Sequence, residues 1–139
     1  MRLRLLVVED DEALTESWHQ AIELRNADDD DLAIIETCAR SYDEAIQFLD
    51  ERTFDAAVID LRLKVLETGG HHNQQGNEVV KAVAVKEAIP TVIYTGQPQE
   101  AEEFPEAPKI KVIDKGEPFS MVLDWLKSEA GLIKQMQNV

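Results

Sequence analysis

Carboxylate side chains directly follow two apolar stretches of the sequence. Glu9, Asp10 and Asp11 follow the first stretch, near the amino terminus, and Asp60 follows another in the middle of the chain. Carboxylates brought together from two such places repel one another unless a cation lies between them, and hard oxygen ligands suit Mg²⁺. We therefore expect Glu9, Asp10 and Asp60 to bind a divalent metal ion that keeps some water ligands. Asp11 is better placed to cap the helix that follows.

Thr95 and Lys115 come at the ends of two further apolar stretches and add a hydroxyl and a positive charge. A hydroxyl, an ammonium and a metal ion can together neutralise the oxygens of a transferring phosphoryl group. A carboxylate is a competent nucleophile for such a group, and the product is an acyl phosphate. These residue types therefore predict phosphoryl transfer to Asp60.

The same acidic residues disfavour nucleotide and flavin cofactors. A nucleotide-binding α/β fold places glycines and backbone N–H groups after its first strand, whereas this chain places Glu9 and Asp10 there. Negative charge at that point repels a cofactor phosphate. We expect Mg²⁺ as the cofactor and no nucleotide or flavin.

Five short apolar stretches alternate with helical patterns, which predicts an α/β fold: a doubly wound five-stranded parallel sheet with helices on both faces. In such sheets, ligands bind beyond the carboxyl ends of the strands. The carboxylates, the threonine and the lysine all follow strands, so they are expected at this edge. The predicted strands are residues 3–8, 32–38, 54–59, 89–94 and 109–113.

The helical patterns differ in strength. Apolar residues recur at helical spacing over 12–25, and Ser41 with Glu44 forms a capping box for the next helix. Residues 77–87 are rich in β-branched valine, but two parallel strands need a crossover, which favours a helix there. The last amphipathic helix is expected over about 118–136.

Residues 61–75 have no periodicity and contain two glycines followed by two histidines. This stretch is predicted to be an enlarged, irregular and mobile loop beside Asp60. Its histidines are adjacent, so their side chains diverge, and a polar loop is a better interpretation than a transition-metal site.

Length and charge exclude several classes of protein. The chain has 139 residues and a net charge of −14, which corresponds to one domain with a sizeable core. A surface this acidic repels phosphate backbones and anionic lipids, so we expect no direct binding of nucleic acid or membranes. The apolar run near the amino terminus is too short for a signal peptide or a membrane span, and a cytoplasmic location is expected.

At the residues described above, the sequence resembles the response-regulator receiver domain of two-component signalling. The resemblance rests on four motifs in the family's order, and together they are far more specific than any one of them. It extends over residues 3–126 and implies a flavodoxin-like receiver fold, with 1–139 as a single receiver domain. The motifs are residues 7–11, residues 55–60, residues 90–96 and Lys115.

The resemblance also implies roles for individual residues. Asp60 is similar to the phosphoacceptor, Thr95 to the switch hydroxyl and Lys115 to the lysine that pairs with the phosphoryl group. Glu9 and Asp10 resemble the acidic pair that binds Mg²⁺ with Asp60. The backbone carbonyl of Arg62 is implied as the remaining protein ligand of the metal.

Some positions depart from the family pattern. Lys64 stands where a proline is usual, and the glycine that follows in the family corresponds to Gly76, which indicates a longer loop. Val112 replaces the usual tyrosine or phenylalanine, the residue through which the family couples the threonine to an aromatic rotamer. Gly116 replaces the proline after the lysine, so no cis peptide bond is expected there.

Two functions from different classes are consistent with these features. The first is a phosphorylatable receiver that is no enzyme beyond its own phosphorylation and dephosphorylation. Its partners are a sensor histidine kinase or phosphotransfer protein and an unknown downstream protein, and a homodimer is compatible with it. The second is a receiver-like interaction module that phosphate does not switch. A metal-dependent phosphohydrolase is less favoured, because Arg62 stands where its general acid is required.

Overall fold

The computed structural model of the chain describes residues 1–61, 63–64, 71–102 and 109–137. The strands are β1 (Arg2–Val8), β2 (Ala33–Ala39), β3 (Ala56–Ile59), β4 (Leu63–Lys64), β5 (His71–His72), β6 (Thr91–Thr95) and β7 (Ile110–Asp114). The helices are α1 (Glu12–Asp28), α2 (Tyr42–Glu51), α3 (Asn73–Val80) and α4 (Phe119–Gln137). A π-helical turn over Lys81–Lys86 continues α3, and a short 3₁₀ turn covers Pro98–Glu100.

The main sheet has five strands in the order β2-β1-β3-β6-β7, and every neighbouring pair is parallel. This arrangement confirms the predicted fold class, a doubly wound α/β sheet of the flavodoxin type. The chain order reverses direction between β1 and β3, because the chain first moves from β1 to β2 and then returns to the other side. A crevice forms at such a reversal, beyond the carboxyl ends of the strands.

Two apolar cores cover the two faces of the sheet. On one face, α1 and α4 pack against the alternate residues of β1 that include Leu3 and Leu5. On the other face, α2, α3 and the π-helical turn pack against Leu6 and Val8. Successive β1 side chains therefore point to opposite cores, which explains why the strand reads as an almost continuous apolar run.

Side-chain caps fix where the first two helices begin. Asp11 accepts a hydrogen bond from the N–H of Leu14 at 3.1 Å and caps α1, as expected. The N–H of Glu44 donates to the Ser41 hydroxyl at 3.2 Å, which confirms the predicted cap of α2. The Glu44 carboxylate in turn accepts from the N–H of Arg40 at 3.1 Å, one residue before the usual return bond of a capping box.

The prediction of an irregular loop over 61–75 is wrong in two segments. The short strands β4 and β5 pair in an antiparallel manner, Leu63 with His72 and Lys64 with His71. Helix α3 then begins at Asn73, four residues before the predicted start at 77. Residues 62 and 65–70 lie outside the described part of the chain, and the mobility expected of the loop stays a prediction.

Gly76 explains how α3 approaches the sheet. A β-carbon at this position would overlap the backbone of Leu61, the residue that follows Asp60. Glycine is unfavourable within a helix, so its presence here is accounted for by the close approach. The helix axis can therefore lie directly beside the backbone that follows Asp60.

The other boundaries agree with the sequence patterns within a few residues. Helix α1 continues to Asp28, and α4 begins at Phe119. Among the described residues, no helix is both long and apolar enough to cross a membrane.

Candidate functional site

A cleft of about 310 Å³ opens at the carboxyl ends of β1, β3, β6 and β7. Each of these strands delivers its polar residues at the point where the apolar run stops, so the sheet brings together side chains that are far apart in the sequence. The cleft is lined by Glu9, Asp10, Asp11, Asp60, Thr95, Gly96, Gln97 and Lys115.

Three carboxylates of the cleft form a compact cluster. One oxygen each from Glu9, Asp10 and Asp60 lies within 4.8 Å of the others. Glu9 and Asp60 are buried, with 3% and 6% of their surfaces exposed, whereas Asp10 is half-buried. Three hard anionic ligands from two strand ends, next to an open cleft that admits water, are a donor set suited to Mg²⁺.

Lys115 partly compensates this negative charge. Its Nζ lies 3.1 Å from Oε1 of Glu9 and 3.4 Å from Oδ2 of Asp60. Burial lowers the pKa of Lys115, but the charges of Glu9 and Asp60 outweigh it, so the pKa is held above its ordinary value. Lys115 is therefore a fixed cation at the mouth of the acidic cluster.

The acidity of Glu9 is strongly perturbed. Burial raises its pKa most, and the neighbouring charge of Asp60 raises it further, to about 8 from 4.5. The ammonium of Lys115 and the N–H of Asp11, which donates to Oε2 of Glu9 at 3.2 Å, act in the opposite direction. Without a metal ion, the cluster therefore favours a proton on Glu9 near neutral pH, and a divalent cation would displace that proton.

Thr95 and Gly96 form the other wall of the cleft. Thr95 is 1% exposed, and its hydroxyl oxygen accepts a hydrogen bond from the N–H of Gln97 at 3.0 Å. The hydroxyl hydrogen has no acceptor among the described residues, so it can donate to a ligand in the cleft. A β-carbon built on Gly96 would meet no atom within 4 Å, which leaves the approach to the cleft unobstructed.

The structure thus brings five of the predicted site residues into one cleft: Glu9, Asp10, Asp60, Thr95 and Lys115. The backbone carbonyl of Arg62, implied as a metal ligand, lies outside the described residues. Val112, at the position where the resemblance has an aromatic residue, lies on β7 and is 40% exposed. The peptide bond that follows Lys115 is trans, as expected from Gly116.

Sequence reasoning missed two residues that hold the backbone segments following β6 and β7. The buried side chain of Asn77 donates to the carbonyl of Glu100 at 3.2 Å and accepts from the N–H of Glu102 at 3.1 Å. The hydroxyl of Tyr94 contacts the backbone that carries Lys115. For Tyr94, the available signal was a hydroxyl within the apolar run of β6, because such groups are buried only with hydrogen-bond partners. Asn77 stands among polar residues, and its sequence offers no such signal.

No protein-family model matches the sequence, and no curated protein matches it significantly. Solved structures resemble the fold over nearly its full length. One is a CheY-like response regulator receiver domain from Methanospirillum hungatei, with a TM-score of 0.67, 19% identity, and coverage of 98% of this chain and 99% of that one.

Two other similar structures contain ligands. The receiver domain of a sensor histidine kinase from Pseudomonas aeruginosa has magnesium coordinated in its active-site cleft; its TM-score is 0.62 at 16% identity, covering 94% of this chain and 99% of that one. A response regulator from Burkholderia pseudomallei has a phosphorylated aspartic acid, a calcium ion and citrate. Its TM-score is 0.66 at 16% identity, and the match covers 97% of this chain and 72% of that one. The chain therefore has the fold of CheY-like response-regulator receiver domains.

Proposed function

We propose that the chain is a phosphorylatable receiver domain of a two-component phosphorelay, which accepts a phosphoryl group on Asp60 in a Mg²⁺-dependent reaction. The observation that carries the proposal is the convergence of Glu9, Asp10 and Asp60 beside Lys115 in a single open cleft. The receiver fold supports it, since this cleft lies at the reversal of strand order where ligands bind in such sheets.

The chemistry follows from the residues of the cleft. A carboxylate oxygen of Asp60 forms a bond to the phosphorus of the donor, and the bond from phosphorus to the donor's leaving atom breaks. With a phosphohistidine donor, the leaving imidazole keeps that electron pair and takes up a proton. Lys115 would pair with one phosphoryl oxygen, and the Thr95 hydroxyl would donate to another.

Glu9, Asp10 and Asp60 would hold the metal ion, and the Arg62 carbonyl is proposed to join them. When bound, Mg²⁺ supplies positive charge that stabilises the phosphoryl oxygens during transfer. Lys115 would then exchange its contacts with the carboxylates for contacts with the phosphoryl group.

The proposal also covers partners and organisation. A sensor histidine kinase or phosphotransfer protein would donate the phosphoryl group, and the modified domain would signal through protein contacts rather than as an enzyme. We propose that residues 1–139 form one receiver domain. Its cytoplasmic location stays a prediction.

Phosphorylation is tested by intact-mass spectrometry after incubation with acetyl phosphate and Mg²⁺. We expect one added phosphate in the wild-type protein and none in Asp60→Asn, because Asp60 is the proposed acceptor while Glu9 and Asp10 are assigned to the metal ion. Asp50→Asn is the matched control, since Asp50 is exposed on α2 and its loss should not affect labelling. Label retained in Asp60→Asn would identify a different acceptor.

Metal binding is tested separately by calorimetric titration of Mg²⁺. Asp10→Asn should weaken binding by about tenfold or more, because it removes an anionic ligand. The control is Asp11→Asn, which removes a charge at the neighbouring position. Asparagine still caps α1, so the Mg²⁺ affinity of this variant should fall much less. Equal affinities of the two variants would contradict the assignment of Asp10.

The alternative is a receiver-like interaction module that phosphate does not switch. The observation in its favour is Val112, because an aliphatic residue cannot provide the aromatic coupling that the resemblance implies. Absence of any acyl phosphate in the wild-type protein, with Mg²⁺ binding intact, would favour this alternative.

A further inference from the structure

The turn that carries Lys115 is held at its base by backbone bonds. The N–H of Lys115 donates to the carbonyl of Thr95 at 3.0 Å, and the N–H of Glu117 donates to the carbonyl of Asp114 at 2.9 Å. The N–H of Gly116 donates to the side chain of Asp114 at 2.7 Å. Gly116 has no side chain of its own with which to contact the rest of the protein, so contacts to this turn come from its neighbours.

The side chain of Tyr94 provides a tie to this turn. Its hydroxyl lies 2.7 Å from the carbonyl oxygen of Glu117 and 3.1 Å from that of Lys115, so its single hydrogen is shared between the two carbonyls. The hydroxyl thus joins the residues on both sides of Gly116. It acts from β6, an element that does not belong to the turn.

The ring of Tyr94 is itself immobilised. It is 3% exposed and packs edge-on against Trp18, with ring centroids 5.4 Å apart. It also packs in a tilted arrangement against Phe119, with centroids 5.7 Å apart. A hydroxyl on a ring held in this way has a fixed position in the core. The tie therefore anchors the turn to the sheet and to both α1 and α4.

We propose that Tyr94 is a positioning residue: its hydroxyl fixes the turn that presents the Lys115 ammonium to Glu9 and Asp60. The role in phosphoryl transfer rests on the proposed function, whereas the role in placing Lys115 does not. The hydroxyl contacts the carbonyls on both sides of Gly116.

The first test uses amide hydrogen exchange of the metal-free, unphosphorylated protein. Tyr94→Phe keeps the ring and its packing but removes the hydroxyl. We expect the amides of residues 115–117 to exchange about three- to tenfold faster, the loss anticipated for one net hydrogen bond, while those of β1 stay unchanged. Tyr42→Phe is the matched control, because the Tyr42 hydroxyl makes no hydrogen bond within the described part of the chain.

The second test measures Mg²⁺ affinity, which does not depend on phosphorylation. Lys115 competes with a cation for Glu9 and Asp60, so Lys115→Ala should bind Mg²⁺ roughly threefold tighter or more. Tyr94→Phe should shift the affinity in the same direction by a smaller factor. Adding Tyr94→Phe to Lys115→Ala should have no further effect, because the tyrosine acts through the lysine.

The rate of labelling by acetyl phosphate is the third readout, and we expect Tyr94→Phe to lower it by roughly two- to tenfold. Unchanged exchange at 115–117 overturns the proposal. So does an effect of Tyr94→Phe on Mg²⁺ affinity that persists in the Lys115→Ala background. If the wild-type protein takes up no phosphate, the proposed function fails, and the exchange and Mg²⁺ results alone decide the role of Tyr94.

Discussion

The buried carboxyl of Glu9 can bind either a proton or a divalent metal ion. When no metal ion is present, burial and the charge of Asp60 raise its pKa to about 8 and favour a proton, against the opposing charge of Lys115. A divalent cation requires the deprotonated carboxylate, so metal binding and protonation compete. The same residue therefore makes both stability and metal affinity depend on pH.

The stability of the metal-free protein should fall as pH rises from about 4.5 to about 8. In this range the folded state keeps a proton on Glu9 that the unfolded state has lost, so the free energy of unfolding decreases with pH. Urea unfolding in the presence of a chelator measures this slope. If the contribution of Glu9 to the free energy of unfolding rose with pH over this range, the result would contradict the raised pKa.

Glu9→Gln provides the control for this prediction, since glutamine does not titrate. His19 also has a raised pKa, caused mainly by its hydrogen bond to Glu36, and loses its own stabilising contribution over an overlapping range. The difference between wild type and Glu9→Gln isolates Glu9, because His19 is common to both. We expect a flatter pH profile in the variant.

At the scale of the elements, two helices each contain a glycine, for different reasons. Gly76 in α3 lies against the backbone of Leu61, where no β-carbon fits. Gly131 in α4 has room, because its β-carbon would lie 4.0 Å from the nearest neighbour, the sulfur of Met1. One glycine is thus required by packing, and the other is not.

Substituting alanine for each glycine should change stability in opposite directions. Gly131→Ala should raise the free energy of unfolding by about 0.5–1 kcal/mol, through the better helix propensity of alanine. Gly76→Ala should lower it by roughly 1–3 kcal/mol, because the overlap forces α3 away from the sheet. Chemical denaturation of both variants measures the difference, and a stabilised Gly76→Ala would show that α3 lies farther from Leu61.

The sheet could be predicted from the sequence because its signals are local. Each strand is a short apolar run that ends at a polar residue, and the parallel arrangement then places Glu9, Asp60, Thr95 and Lys115 at one edge. The cap at Ser41 is equally local, since its partner is three residues away. The pattern of residue types therefore predicted both the fold and the composition of the cleft.

The features that could not be predicted depend on contacts between distant residues. Helix α3 starts at Asn73, and its first turn contains Gly76, a residue that disfavours helices but that lies here against the backbone of Leu61. The hydrogen bond between Tyr94 and Glu117 joins β6 to the turn that follows β7. No spacing within either segment encodes such a contact.

At the scale of the whole molecule, a net charge of −14 on 139 residues works against the compact state. Described ion pairs such as Arg25 with Asp124 and Lys109 with Glu129 use several of the 14 basic residues, and acidic side chains outnumber them two to one. Screening by salt weakens the remaining repulsion more than it weakens such pairs, because the repulsion acts over longer distances.

Stability should therefore increase with ionic strength. Between roughly 0.01 M and 0.15 M NaCl, in the presence of a chelator, we expect a gain of about 1 kcal/mol in the free energy of unfolding, or roughly 4 °C in the melting temperature. Asp30→Asn combined with Asp31→Asn removes two charges from the acidic run after α1 and should reduce this gain. A melting temperature that falls with salt would mean that ion pairs outweigh the repulsion.

The contact between Trp18 and Tyr94 has an optical consequence. Trp18 is 1% exposed and lies against the ring whose hydroxyl holds the Lys115 turn, so a rearrangement of that turn alters the surroundings of the indole. The chain has one other tryptophan, Trp125, which is half-buried. In a Trp125→Phe background, the fluorescence of Trp18 becomes an intrinsic probe of the cleft, and rapid mixing with Mg²⁺ or a phosphoryl donor can follow its kinetics without an attached dye.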